Sequence, residues 1–445
     1  MVCPVPNKGL PLEGIRAVCV TAIIAGPYAS QLLADWGCEV IKFESTQRRQ
    51  LQTRGYTLRF PKGSKAMKEQ GPPWPWGYSD GEPGERPWNR LSAFNSHNRN
   101  KLAITVDLSK TKGKEILREL VKTSDLFLEN NAPNTMDKLG ITYEWLKEIK
   151  PDIIMIRMPA YGLSGPYKDY RTYGSGPEAT AGFTWLRGYT DVDKSISTTS
   201  VAHCDATGGA NAALAALMAL HYRKRTGKGQ HIELAQVEGL IPQLGEAIMD
   251  FTMNGRVQDN IGNRDYHGAA PCGNYRCKGE DCWVSITVRN DDEWEGFTRA
   301  LGDPKWSRDE RFSTTLNRYK NQDELDNLVE EWTMQHDHYA VMFMLQKEGV
   351  AAAPITNADA AYTDPHIKES GVLEKVTHPE AGTHIYPGIG WTMARTPNGI
   401  RRYACRLGED NEYIYKTLLG ISDEEYAELE REGHIGMDFA PHVGP

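Results

Sequence analysis

Apolar residues fall into two alternating kinds of run over the first 160 positions. The blocks IRAVCV (Ile15–Val20), EVIKFE (Glu39–Glu44), KLAITVDL (Lys101–Leu108), DLFLEN (Asp125–Asn130) and DIIMIRM (Asp152–Met158) have the length and branched apolar content of strands. Between them lie segments with helical patterning, AGPYASQLLADWG (Ala25–Gly37), TKGKEILRELVKTS (Thr111–Ser124) and TMDKLGITYEWLKEIK. Gly26-Pro27 at the start of the first helix and Gly37 at its end are the expected punctuation. Two strands flanking one helix at this spacing imply a parallel βαβ unit, and the repeated alternation implies a doubly wound α/β sheet.

Residues 46–93 break the rhythm. They hold Pro61, Pro72, Pro73, Pro75, Pro83 and Pro87 together with Trp74, Trp76 and Trp88. Disordered linkers are poor in aromatics, so this reads as an irregular insertion held down by its tryptophans. If it borders a ligand pocket, those rings point to a bulky or aromatic ligand.

The pattern changes again in the middle of the chain. A long helix starting near Ala206 is followed, from about Gly255 to Gly349, by strand-like pieces (GNYRC, CWVSITV) and short helices (DEWEGFTRALG). VAAAPI and ISDEEYAELEREG then read as a return to the sheet-and-helix pattern. The expected division is residues 1–235, a small domain at 255–349, and residues 350–445 returning to the large domain. A chain of 445 residues exceeds what one core usually supports, which agrees with two domains.

Composition narrows the function. Charged residues make up 25% of the chain and the formal net charge is -8, so no basic footprint for nucleic acid is present. An anionic ligand would need a local pocket. No apolar run is long enough to span a bilayer and no signal-peptide core follows the first residues, so a cytoplasmic protein is expected. The eight cysteines are scattered and include no CxxC pair. Cys272, Cys277 and Cys282, with His267 nearby, are better read as reduced structural thiols than as a metal site.

Three stretches are candidates for chemistry. GSGPEATAG (Gly174–Gly182) resembles a dinucleotide loop but follows no convincing strand and has a proline within it. TGKGQ (Thr226–Gln230) lacks Walker spacing and reads as the turn closing a helix that ends in Arg223, Lys224 and Arg225. The third is VAHCDATGGANAALAALMAL, where Asp205 precedes the long helix. Two readings of Asp205 stand open. One is an N-cap accepting amide hydrogen bonds. The other is a reactive carboxylate, with Gly208 and Gly209 leaving bare backbone for a ligand.

The order of these motifs resembles that of the class III CoA-transferases, the family of the formyl-CoA:oxalate and carnitine enzymes. The resemblance rests on LEGIRAVCV, AGPYASQLLADWGCEVIKFE, NRNKLAITVDL, GKEILRELVKTSDLFLEN, YGLSGPY, the Asp205 segment, RTGKGQHIEL, GNR (Gly262–Arg264) and APITNADAAYTDPHI, in order over nearly the whole chain. It implies a Rossmann-like large domain built from both termini, a smaller middle α+β domain, and an interlocked dimer. It also implies that Asp205 is the nucleophile that becomes an aspartyl-CoA thioester, with CoA as substrate and product and no metal or redox cofactor. By position it places CoA contacts at Ile24 and Ala25, at Val106, Asp107, Leu108 and Ser109, at Asn130 and Asn131, at Lys138, and at Ala160, Tyr161 and Gly162. The family's glycine-rich shielding loop corresponds to GNRDYHGAAPCG, where Arg264 and His267 are candidates to meet a substrate carboxylate. An acyl-CoA racemase of the same fold is the nearest rival, but the histidine such enzymes need is absent from YGSGPEATAG. A CoA-binding subunit of a heteromeric transferase is the other alternative.

Overall fold

The computed structural model describes residues 5–50, 53–55, 77–193, 202–397 and 399–443, so Trp74 and Trp76 lie outside the described residues. The chain forms two compact units. The larger comprises Met1–Phe183, Thr199–Met249 and Gly371–Pro445, and the smaller comprises Thr184–Thr198 and Asp250–Ser370.

The larger unit is built on six parallel strands: β1 (Arg16–Val20), β2 (Glu39–Glu44), β3 (Leu102–Thr105), β4 (Leu126–Glu129), β5 (Ile154–Arg157) and β6 (His231–Glu233). Their spatial order is β3-β2-β1-β4-β5-β6, the doubly wound arrangement in which the order reverses between β1 and β4. The first five strands are the apolar runs of the sequence. β6 is short and largely exposed, and no apolar block announced it.

Burial on both sheet faces explains why those runs are nearly continuous rather than alternating. On one face Ala17, Cys19, Val40, Leu126, Leu128, Ile154 and Ile156 pack against α1 (Ala25–Asp35) and α5 (His203–Thr226). On the other, Val18, Ile41, Phe43, Ile104, Phe127 and Met155 meet α2 (Thr111–Lys122) and α3 (Tyr143–Ile149). The segment read as one helix, TMDKLGITYEWLKEIK, is two, Asn134–Leu139 and α3, because Gly140 adopts φ +70° and ends the first. α4 (Ser175–Ala181) occupies the stretch that resembled a glycine loop.

Residues near the C-terminus complete the sheet. Asp410 Oδ2 accepts the Ala103 amide and Asn411 Oδ1 accepts the Thr105 amide, both at 2.8 Å, so the exposed edge of β3 is occupied. Trp88, in the irregular insertion, is buried and packs edge-on against Phe439.

The smaller unit holds β7 (Cys272–Arg276), β8 (Trp283–Thr287) and β9 (Ala351–Ile355) in an antiparallel sheet over a core that includes Trp294, Phe297, Phe312, Leu325 and Val329. β9 is the VAAAPI run that was expected to begin the return to the large sheet. It instead pairs with β8, Ser285 opposite Ala353, and the return comes at Gly371. A run of alanines carries no size or charge signal for one sheet over another.

Candidate active site

Where strand order reverses, the loops leaving β1 and β4 diverge and open a crevice at the carboxyl edge of the sheet. A cavity of about 240 Å³ lies there, reached by Ala22 and Ile23 after β1, Asn130 and Asn131 after β4, Ala160 after β5, and Asp205.

The β1 loop is gripped from several sides. Asn130 Oδ1 accepts the Ala22 amide and Nδ2 donates to the Ala22 carbonyl, both at 2.8 Å, while Asn131 Nδ2 donates to Val20 O at 2.8 Å. Buried lysines hold its two ends, Lys42 Nζ donating to Thr21 O at 2.8 Å and Lys101 Nζ to Pro27 O at 2.7 Å. Between these anchors Ile23 sits at φ +63°. That region is hostile to a β-branched residue and costs about 1–3 kcal/mol, which the surrounding bonds offset. The outcome is a fixed loop whose next amide, that of Ala25, hydrogen-bonds the Asp205 carboxylate.

α5 begins at His203, not near Ala206, and its N-cap is Ala202, which supplies no side-chain bond. Asp205 therefore stands inside the first turn and is not the cap. The open amide of Cys204 is taken instead by Glu178 Oε1 of α4, at 3.1 Å. Asp205 is left to face the cavity while remaining only 8% exposed. Burial pushes its carboxyl up to about 6. The like charge of Glu178 adds to that rise, and the Ala25 amide opposes it. No lysine, arginine or histidine is among the described residues lining the cavity. The neighbouring Cys204 thiol is pushed up to about 12 by burial and is not a competing nucleophile.

The glycines around Asp205 have different roles from those expected. A Cβ on Gly209 would fall 2.8 Å from Tyr28 Cδ1 and 2.9 Å from Ala25 O, and one on Gly208 would lie 3.3 Å from Gln236 Cγ. Both serve close packing, Gly209 of α5 on α1, rather than ligand access. The glycine that makes room for the carboxylate is Gly174, just before α4.

Of the positions read from the sequence, Asp205, Asn130, Asn131 and Ala160 line this cavity, and Ala25 reaches it through its amide. Ile24 is the N-cap of α1, and its neighbour Ile23 is the one at the wall. Val106, Asp107, Leu108 and Ser109 follow β3, two strands from β1, and do not line it. Val106 is buried with its amide on Glu44 O, and Asp107 Oδ1 accepts the Ser109 hydroxyl at 2.6 Å. Lys138 is exposed on the helix Asn134–Leu139. Tyr161 Oη lies 3.0 Å from Thr180 Oγ1, and Gly162 takes φ +88° beside Glu233. Ile23, Gly174, Glu178 and Gln236 were missed. Only Gly174 and Glu178 had drawn attention, as members of a supposed glycine loop.

In the smaller unit Arg264 Nη2 is engaged by Asp323 and by Asp326, the latter at 3.2 Å, so the arginine is neutralised where a substrate carboxylate was expected. His267 is exposed. Cys277 and Cys282 flank the turn between β7 and β8, joined by a backbone bond of 2.8 Å. Among the described residues no group of three or more His, Cys, Asp or Glu is placed to hold a metal, and no helix is long and apolar enough to cross a membrane.

A doubly wound sheet places its ligand crevice at the switch point, and here a buried carboxylate faces that crevice. The chain belongs to CoA-transferase family III, whose model matches residues 12–411, and it is a CoA-transferase. It is 30% identical over 420 residues to a succinyl-CoA–D-citramalate CoA-transferase of Chloroflexus aurantiacus, covering 94% of this chain and 97% of that one. It is 26% identical to a formyl-CoA:oxalate CoA-transferase of Bradyrhizobium diazoefficiens, covering 95% and 97%. The crystal structure of a CAIB/BAIF family protein from Brucella suis is similar with a TM-score of 0.78 at 28% identity, covering 92% of this chain and all of that one.

Proposed function

We propose that Asp205 carries CoA covalently between an acyl-CoA donor and a small free carboxylic acid. The observation that carries this reading is the state of the Asp205 carboxylate. It is buried at the switch point, held by one amide, released from capping, and faced by no cation among the described residues. A salt bridge would stabilise the carboxylate and blunt it, whereas burial raises its basicity.

The reaction balances in four steps. An Asp205 oxygen attacks the thioester carbon, and the C–S bond breaks to give a mixed anhydride and CoA thiolate. The thiolate attacks the Asp205 carbonyl of the anhydride, releasing the donor acid and leaving aspartyl-CoA. The acceptor carboxylate attacks that thioester and expels the thiolate, forming a second anhydride. The thiolate then attacks the acceptor's acyl carbon, producing the new acyl-CoA and restoring the Asp205 carboxylate. No net proton, electron or water is consumed. The Ala25 amide is the group at hand to steady negative charge that moves on and off the Asp205 oxygens.

The names of the relatives favour succinyl-CoA as donor and a small dicarboxylic acid as acceptor. Trp88 packs on Phe439 and does not line the cavity, which weighs against a large aromatic acid. CoA is assigned to the carboxyl rim of the sheet, over Ile24, Ala25, Val106–Ser109, Asn130, Asn131 and Ala160–Gly162, with Lys138 at its outer side. The functional form is read as a homodimer. In support, α5 exposes Leu214, Leu217, Met218 and Tyr222 along its outer side, more apolar surface than a lone helix usually leaves in water.

The test is covalent trapping. Incubation with succinyl-CoA or formyl-CoA adds CoA to the peptide containing Asp205, and hydroxylamine removes it leaving a hydroxamate. Asp205→Asn folds, binds CoA and loses transfer by at least about a thousandfold. An adduct on another residue, or transfer by Asp205→Asn at near the normal rate, overturns the reading.

A further inference from the structure

We infer that Glu178 is a positioning residue for the nucleophile: it takes an open amide in the first turn of the helix bearing Asp205 and so sets a second carboxylate beside the reactive one. The inference rests on the reading of Asp205 as the nucleophile.

The geometry is specific. α5 is a 24-residue helix that starts without a side-chain cap of its own. Its N-terminal amides are an anion site, and two carboxylates stand there. Glu178, 2% exposed on α4, takes the Cys204 amide at 3.1 Å. Asp205 is one residue further along the same turn and points into the cavity. Because the helix already begins at His203, Asp205 lies within its first turn and does not serve as its N-cap. Gly174 and Pro177, from the same short segment as Glu178, form the adjoining wall, so that segment sets both the space and the charge around the nucleophile.

The groups facing Asp205 are few. From α4 comes Glu178. From α5 itself comes the neighbouring Cys204 thiol, and from the loop before α4 comes Tyr173, which lines the same cavity. From α1 comes only the Ala25 amide, and from the β4 loop and α6 (Gln236–Leu240) come the neutral Asn130, Asn131 and Gln236. Among the described residues Glu178 is the carboxylate acting on Asp205, and its like charge works in the same direction as burial. A second carboxylate beside a nucleophilic one would be a poor choice for binding an anionic substrate. It is a sound choice for keeping the attacking oxygen reactive.

Glu178→Gln separates the two roles, since the amide oxygen still accepts the Cys204 N–H while the charge is gone. The measurement is the pH dependence of CoA-adduct formation in single turnovers with succinyl-CoA and with formyl-CoA. In parallel, carbodiimide labelling of Asp205 with glycine amide, read by peptide mass spectrometry, reports its protonation with no donor present. Expected for Glu178→Gln are an acid limb and a labelling midpoint both moved to lower pH by about half a unit to one unit. The plateau rate falls about two- to fivefold as basicity drops, and the melting temperature at neutral pH does not fall. Glu178→Ala gives the same pH shift but a lower melting temperature, because the Cys204 amide loses its acceptor. A limb and midpoint that stay in place in Glu178→Gln overturn the inference. If they stay while Asp205→Asn is inactive, only the role of Glu178 fails. If Asp205→Asn remains active, the underlying reading fails.

Discussion

The Asp205 carboxylate rests directly on the backbone of Gly174, so close that a Cβ built there would lie 2.3 Å from Oδ2. Gly174 itself has ordinary helical φ and ψ. The glycine is therefore required for space and not for conformation, which makes its substitution a clean probe. Gly174→Ala should fold normally and displace the carboxylate. Since a misplacement of about 1 Å can cost a hundredfold in rate, adduct formation should fall by at least tenfold, read by single-turnover mass spectrometry. An alanine variant with full activity would show that the carboxylate is free to move without loss.

A second expectation concerns pH. The Asp205 carboxyl, ordinarily near 3.8, is pushed up to about 6, chiefly by burial. Only the ionised form attacks, so the transfer rate should fall below about pH 6 as the carboxylate takes up its proton. The stability effect has the opposite sense. Between those two values the folded chain binds more protons at this site than the unfolded chain, so its contribution to stability is present below pH 4 and is lost as pH rises through 6. The loss is on the order of 2–3 kcal/mol. Asp205→Asn should therefore be more resistant to urea than the wild type at pH 7.5, and show no such advantage at pH 4. Equal differences at the two pH values would contradict the assignment.

The packing of α1 on α5 gives a third. Gly209 lies against Tyr28 and the Ala25 carbonyl with no space for a side chain, and Ala212, Ala213, Ala216 and Ala219 continue the same small-residue contact into the core. Gly209→Val should force the helices apart. A cost of about 1–3 kcal/mol is expected for overpacking of this kind, visible as a lower urea midpoint, together with lower activity because the Ala25 amide moves with α1. A valine variant of unchanged stability would mean that the contact yields easily.

The outer side of α5 gives the fourth. Met218 is 64% exposed, with Leu214, Leu217 and Tyr222 nearby on the same helix. If a second copy covers them, Met218→Glu should turn a dimer seen by sedimentation at micromolar concentration into a monomer or an aggregate. A wild-type protein that sediments as a monomer would remove the proposal.

Much of the fold was legible because a sheet buried on both faces writes itself as blocks such as IRAVCV and DLFLEN, which no amphipathic helix would tolerate. The weaker elements escaped for definable reasons. β6 is exposed and three residues long, and the alanines of β9 suit either sheet. The candidate nucleophile could be located by resemblance, but its surroundings could not. Asp205 read as an N-cap because aspartate before an alanine-rich stretch usually is one. Only the structure starts the helix at His203, which puts Asp205 inside the first turn and removes that role. Gly208 and Gly209 suggested ligand access, whereas the side of the helix they occupy meets neighbouring protein.

The edge of the sheet has a consequence for how the protein is made. Ala103 and Thr105 receive their partners from Asp410 and Asn411, 307 and 306 positions later in the chain. On the ribosome β3 emerges long before anything that can cover it, and the residues of the smaller unit, Asp250–Ser370, are synthesised in the interval. That unit can fold while the strands ahead of it still wait with an open edge. Completion of the large sheet therefore waits for about 300 further residues, on the order of 15–60 s of synthesis, and until then the open edge is exposed to edge-to-edge pairing with its neighbours.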